Sequence, residues 1–342
     1  MDYQGCSFIE QGINFDFDKV TDCCILHHDN RGLPLLIQNY NGENIDWEKL
    51  FKIKEQRITN QIQKTIYECE NCYHLNDYKF TYEKKISEFH FSHCRLCNAK
   101  CIYCSREYSE GSLNYDTYPI IKDLIEKGYY KPGGEATFQG GEPVLMKHFN
   151  ELIELFTKNG TKMRIHTSAI KYSQSVCEAL KQNKASVVIS LDCASRETYK
   201  KIKQVDCFYK VVDTVKKYSQ AGLNNVIIKY IIIPGFNDNI SEIDKFFKLM
   251  KKLNIKTLAL DIELKYAQKY NNKDISLHIY LLVDYFEKKA EKLKINVLIY
   301  SFLSYVLKNR EIKKSKFVHF KPIYKLLINK INDKSKNIKY HR

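Results

Sequence analysis

The sequence contains no apolar run long enough to cross a bilayer. Its longest nearly apolar stretch, residues 295–307, falls short of the roughly 20 residues that a spanning helix requires. The opening residues, MDYQGCSFIEQ, hold acids and no apolar segment of the signal-peptide kind. Internal repeats and low-complexity linkers are absent too, which argues against solenoids and extended spacers. Cysteine stops at Cys207, and beyond residue 300 acids nearly vanish, with only Glu311 and Asp333 against twelve Lys and Arg. A secreted or membrane-spanning protein is disfavoured on these grounds, and the expectation is a cytoplasmic chain.

What is present suits a folded protein. The 342 residues are 44% hydrophobic and 13% aromatic, enough for one large domain or two medium ones. The net charge of +15 is uneven: the last 42 residues hold +10 of it, which leaves +5 for residues 1–300. Lysine dominates arginine, 47 to 8, so the charge alone names no nucleic-acid partner. Nine of the twelve cysteines precede residue 105. In a reducing compartment such thiols point to metal or redox work rather than to a disulfide framework.

From about residue 88, short β-branched or aromatic runs alternate with amphipathic stretches, the pattern of βα units around a parallel sheet. Strands are expected at residues 88–93, 135–139, 162–167, 186–192, 225–233 and 257–263, and helices at 118–129, 148–158, 174–181, 209–219, 243–253 and 277–293. Right-handed crossovers curl six such units into a partial (βα)6 TIM-like barrel, an α/β fold. Residues 1–86 break the alternation, with strand-like pieces at 13–17 and 24–28 and one helix at 47–64. Three segments follow: a small amino-terminal cysteine-rich module (1–86), the barrel core (87–300) and a basic helical carboxy-terminal tail (301–342).

Just after the first core strand stands Cys97-Asn98-Ala99-Lys100-Cys101-Ile102-Tyr103-Cys104. Thiolates at this spacing can wrap one corner of an iron-sulfur cube, and three of them leave one iron open. Cys94 offers a fourth sulfur, so a four-thiolate zinc knot or a ferredoxin-like carrier remains an alternative. At the end of the second strand lies Gly140-Gly141-Glu142-Pro143. Its glycines admit a close backbone approach, and Glu142 is an acceptor for a cationic amine. Both motifs follow strand ends, on the rim where such barrels assemble their sites.

These residues resemble the radical S-adenosylmethionine (radical SAM) superfamily, whose hallmark is CxxxCxΦC with an aromatic before the last cysteine, here Tyr103. The resemblance covers about residues 86–300. It implies a 4Fe-4S cluster on Cys97, Cys101 and Cys104 whose open iron takes the amino and carboxylate groups of S-adenosylmethionine, with Gly140, Gly141 and Glu142 receiving the methionine ammonium. It further implies that Ser190 and Asp192, at the end of the fourth strand, meet ribose or the methionine carboxylate, and that Arg196 pairs with that carboxylate. The turn Ile233-Pro234-Gly235-Phe236-Asn237 corresponds to one that packs on adenine. At the third strand end, His166-Thr167-Ser168 stands where many relatives carry Thr-Asn. Asp192 also reads as a helix N-cap and Arg196 as a solvated charge.

Outside the core, Cys69-Glu70-Asn71-Cys72 is a metal knuckle of common spacing. Cys6, Cys24, Cys69 and Cys72 are the expected ligands of a second 4Fe-4S cluster or a zinc ion, with Cys23 and Cys94 as substitutes. The hairpin around Cys6 and Cys23-Cys24 is similar to that of SPASM and twitch auxiliary-cluster domains, although those domains normally follow the barrel.

The implied activity is reductive cleavage of S-adenosylmethionine to a 5′-deoxyadenosyl radical, followed by hydrogen abstraction from a peptide, sugar or other small metabolite. Flavodoxin or ferredoxin is the implied donor. The alternatives are a radical enzyme acting on RNA and a non-catalytic iron-sulfur or zinc protein. RNA is disfavoured because no aromatic RNA-binding signature accompanies the charge. The tail reads first as a solvated cover over the barrel's open end, with contact to an anionic membrane surface or to RNA as the other readings.

Overall fold

In the computed structural model, residues 5–23, 35–65, 69, 72, 75–104, 115–269, 277–300 and 303 are described. The tail expected over 301–342 (Leu303 apart), the strand expected at 24–28 and Cys24 lie outside them. The elements run α1 (Ser7–Gln11), β1 (Gly12–Phe15), β2 (Lys19–Thr21), β3 (Leu35–Gln38), α2 (Trp47–Ile62), β4 (Ile86–Phe91), α3 (Thr117–Glu126), β5 (Tyr130–Phe138), α4 (Phe149–Lys158), β6 (Lys162–Thr167), α5 (Gln174–Lys181), β7 (Ala185–Ser190), α6 (Arg196–Lys203), α7 (Phe208–Ala221), β8 (Val226–Ile232), α8 (Ile240–Lys252), β9 (Thr257–Ile262), α9 (Leu264–Lys269), α10 (Leu277–Leu293) and β10 (Asn296–Ile299). Each of β4 to β9 is followed by helix, so the expected six-unit α/β series is present. No helix among the described residues is long and apolar enough to cross a membrane.

The chain divides into two compact units, residues 1–98, 107–167 and 173–186 in the first, and 99–106, 168–172 and 187–342 in the second. In the first, the strand order is β6-β5-β4-β1-β2-β3, parallel from β6 to β1 and antiparallel through β2 and β3. The boundary expected at residue 86 is not a break in backbone pairing, because β1 lies parallel to β4, Ile13 opposite Phe89. In the second unit β7, β8, β9 and β10 form an all-parallel run.

Local sequence explains the elements. In β6, Met163, Ile165 and Thr167 are buried and alternate with Lys162, Arg164 and His166, the signature of a strand with one covered face. β7 buries Val187, Val188 and Ile189 in succession, as a strand covered on both faces does. α4 buries Phe149, Leu152, Ile153 and Phe156, one helical stripe. Ser173 and Asn239 cap α5 and α8 by accepting the Val176 and Glu242 amides. A ring stack of Phe91 on Phe138, centroids 4.6 Å apart, with Phe89, Tyr130 and Phe156 around it, fixes the ends of β4 and β5. Each such ring contributes on the order of 2 kcal/mol by burial.

Two differences from the sequence reading have physical causes. β5 begins at Tyr130 rather than Glu135, because residues 131–134 bulge opposite the single residue Ser87. The Pro132-Gly133-Gly134 run is the bulge, and a Cβ on Gly134 would stand 1.9 Å from the Ser87 carbonyl oxygen. Strand β10, inside the near-apolar run, pairs with β9 and was not expected.

His93, just past β4, is buried and stacked on Tyr115 at 4.8 Å, and neither ring nitrogen has a hydrogen-bond partner among the described residues. Burial holds its pKa down, to about 4 from the usual 6.5. Below pH 6.5 the unfolded chain therefore takes up a proton that the folded one refuses until about pH 4. Stability is lost as pH falls through that window. Between pH 7 and pH 5 this group accounts for roughly 2 kcal/mol, and urea midpoints of wild type and His93→Phe should show the variant spared that loss.

Candidate functional site

The first unit brings two of the sequence motifs together. The chain leaving β4 runs through Ser92, His93, Cys94, Arg95 and Leu96 to Cys97, and the chain leaving β5 turns at Gln139, Gly140 and Gly141. The two are bonded backbone to backbone. The Gln139 amide donates to the Phe91 carbonyl at 2.9 Å, Gly141 to Cys94 at 2.7 Å and Glu142 to Leu96 at 2.7 Å. Gly140 has φ +103°, and a Cβ on it would stand 2.9 Å from the Cys94 oxygen. On Gly141 a Cβ would stand 2.2 Å from the Leu96 oxygen. The paired glycines are there because the thiol loop passes against them.

Glu142 is 1% exposed. Its carboxylate accepts from the Thr167 hydroxyl at 2.7 Å and caps the following turn through the Val144 amide at 3.4 Å. Thr167 thus ties the end of β6 to the glycine turn, a role that His166-Thr167-Ser168 did not disclose in sequence. Cys94 is fully buried, and its thiol donates toward the carbonyls of Leu96 (3.6 Å) and Glu142 (3.7 Å). Burial pushes it up to about 11. It staples the loop to the turn, which accounts for the residue without a fourth-ligand role. Cys97, half-buried and free of any disulfide, ends this stretch.

In the second unit the loop continues through Cys101 and Cys104, both half-buried and outside any disulfide, in a turn closed by the Cys104 amide on the Cys101 carbonyl at 3.0 Å. The carboxyl end of α6 holds this turn: Lys100 donates to the Lys203 carbonyl (2.9 Å) and Ile102 to that of Ile202 (3.0 Å). Tyr103 donates its hydroxyl to Asp192 at 2.6 Å, and Lys203 reaches the same carboxylate oxygen at 2.5 Å. The other Asp192 oxygen accepts the Ile231 amide at 2.8 Å, and its backbone carbonyl accepts Asn237 at 2.7 Å.

Asp192 and Lys203 are 0% and 1% exposed. Burial alone would lower the Lys203 ammonium, but Asp192, with Cys101 and Tyr103, reverses this and holds it well above its ordinary value. Burial and then the Asp192 charge hold the Tyr103 phenol well up. Asp192 does not cap α6; Ser195 does, accepting from the Thr198 amide at 3.2 Å. Lys203 carried no sequence signal, since a lysine at the end of an amphipathic helix reads as surface.

The remaining candidates are placed as follows. Ser190 ends β7 and is half-buried. Arg196 is gripped by Asp206 through two bonds, 2.8 and 2.6 Å, at the surface. Gly235 sits at φ +85° with its amide on Asp238 at 2.8 Å. Asn237, fully buried, bonds both Ile231 and Ile233 and shapes that turn. All lie past the carboxyl ends of parallel strands, where open α/β sheets bind ligands.

The donor set fits an iron-sulfur cluster. Cys97, Cys101 and Cys104 are three soft thiols within eight residues, none of them in a disulfide. A cube takes each such sulfur on a separate iron.

Comparison with known proteins points the same way. The family model described as the Radical SAM superfamily matches residues 91–263. A GTP 3′,8-cyclase of Clostridium botulinum (strain Okra / Type B1) is 28% identical over 188 residues, covering 52% of this chain and 57% of the relative. An uncharacterized protein of Methanocaldococcus jannaschii is 29% identical over 219 residues, 59% of this chain and 69% of that one. The chain thus spans little more than half the length of the cyclase it matches. Among solved structures, Streptococcus suis SuiB bound to the precursor peptide SuiA superimposes with a TM-score of 0.51 at 13% identity, over 82% of this chain and 58% of that one. A likeness at that identity is one of fold, and the fold is the α/β partial-barrel class.

Proposed function

The chain belongs to the radical SAM superfamily, and from that premise we propose that it abstracts hydrogen from a peptide, a sugar or another small metabolite, with Cys97, Cys101 and Cys104 holding the 4Fe-4S cluster. When bound, the cluster and S-adenosylmethionine supply the hard step, a one-electron cleavage to methionine and a 5′-deoxyadenosyl radical. The chain's own residues bind and orient. Gly140 and Gly141 let backbone approach the methionine end, and Glu142, fixed by Thr167, supplies the acceptor for its ammonium. Asp192 has both carboxylate oxygens engaged, so its part is to position Tyr103 and the Cys101–Cys104 turn. Ser190 is the polar group of that strand end directed to ribose or the methionine carboxylate, and Gly235 opens the turn for adenine. Arg196 reaches that carboxylate only by giving up Asp206, an exposed pair that holds it weakly.

The observation that carries this reading is the backbone bonding of the glycine turn to the residues leading into Cys97. Flavodoxin or ferredoxin is the donor class. The test uses anaerobically reconstituted protein, dithionite, S-adenosylmethionine and a uniformly deuterated cell extract separated into small molecules with peptides, GTP, and RNA. Deuterium should enter 5′-deoxyadenosine from the first fraction. Label from RNA alone would overturn the substrate class, label from GTP would assign the reaction named for the clostridial relative, and no 5′-deoxyadenosine at all would overturn catalysis.

A further inference from the structure

We propose that Cys6, Cys23, Cys69 and Cys72 hold a second iron-sulfur cluster, seated against the half-buried Arg57 and the buried Lys54 in the first unit. Gly5 and Asn76 exchange both backbone bonds, at 2.9 and 3.0 Å. That brings Cys6 beside the knuckle, where the Cys72 amide donates to the Cys69 carbonyl at 3.1 Å. Gly5 has no room for a side chain, since a Cβ would stand 2.3 Å from the Tyr78 oxygen. Cys23 arrives from the end of β2, its carbonyl accepting the Thr21 hydroxyl at 3.2 Å. The preceding Asp22 lies 2.5 Å from Nε of Arg57 on α2. The thiols lie within electrostatic reach of one another: Cys69 with Cys23, Cys6 and Arg57, and Cys6 with Cys72.

The surroundings leave a buried donor over. Lys54 is buried, with its ammonium on the carbonyls of Ile9 (3.0 Å) and Phe8 (3.4 Å). Nη2 of Arg57 is buried without a hydrogen-bond partner among the described residues. Asp22, fully buried, faces both cations, and Glu88 is a second carboxylate within reach of Lys54. A buried donor without an acceptor is costly, and the sulfurs of a thiolate-bound cube accept hydrogen bonds. One tetrahedral zinc would need all four sulfurs about 2.3 Å from one point; a cube spreads them over four irons. The sequence reading placed Cys24 in this set with Cys23 as a substitute; Cys24 lies outside the described residues, and the proposal takes Cys23. This inference stands apart from the substrate reading.

The test is a Cys97→Ala, Cys101→Ala, Cys104→Ala variant of the full chain, reconstituted anaerobically and assayed for iron, sulfide and zinc. About four irons and four sulfides per chain should remain, with an electron paramagnetic resonance signal after dithionite that S-adenosylmethionine does not alter. Adding Cys23→Ser to that variant should remove the iron, and adding Cys24→Ser should leave it. Absence of iron from the triple variant, or zinc in its place, overturns the cluster. Loss with Cys24→Ser but not Cys23→Ser overturns the ligand set.

Discussion

Asp192→Ala should lower stability by about 3–5 kcal/mol, the range for a buried ion pair stripped of one partner. The Lys203 ammonium would remain buried with its counter-charge gone, and the Ile231 amide and Tyr103 hydroxyl would each lose their acceptor. Position 192 also adopts φ +62°, which alanine tolerates less well than aspartate. Because the same carboxylate holds Tyr103, the turn bearing Cys101 and Cys104 loosens as well. A Lys203→Met change added to Asp192→Ala should recover a large part of the loss, since it removes the stranded charge. Urea unfolding of the two single variants and the double variant measures this. A loss under about 1 kcal/mol for Asp192→Ala would show that the pair is solvated.

Gly141→Ala should cut the yield of 5′-deoxyadenosine about a hundredfold, the scale for a catalytic loop displaced by roughly 1 Å. The added methyl carbon would sit 2.2 Å from the Leu96 oxygen, and neither backbone can yield without breaking the Glu142–Leu96 or Gly141–Cys94 bond. The turn or the thiol loop must therefore move. An alanine at Gly133, whose Cβ would meet nothing within 4 Å, is the matched control; its φ of +80° adds backbone strain, yet it lies far along the strand from the loop. Turnover of both variants under chemical reduction, with iron content alongside, distinguishes displacement of the loop from general unfolding. Equal turnover by Gly141→Ala and wild type would contradict the close approach.

Much of this was legible in sequence because it rests on spacing. The bounds of β6, α5 and α10 match the expectation residue for residue, since each is a run whose period is unmixed. That the glycine turn lies against the residues leading into Cys97 was readable for the same reason. What escaped depends on contacts far apart in sequence. Lys203 is ordinary until α6 folds it onto Asp192, eleven residues away. Cys94 looked like a spare ligand until its thiol met the Glu142 carbonyl, 48 residues on. The join of β1 to β4 unites a segment read as a separate module with the core sheet, and strand pairing leaves no local mark on β1.

The central claim is that three sulfurs of one loop leave an iron open to S-adenosylmethionine. The most direct measurement is the electron paramagnetic resonance spectrum of the reduced, reconstituted protein with and without that ligand, compared with the variant lacking Cys97, Cys101 and Cys104. The account predicts a wild-type signal that changes on adding S-adenosylmethionine and a variant in which the responsive signal is gone. A wild-type spectrum indifferent to S-adenosylmethionine, as a fully ligated cluster would give, would contradict it.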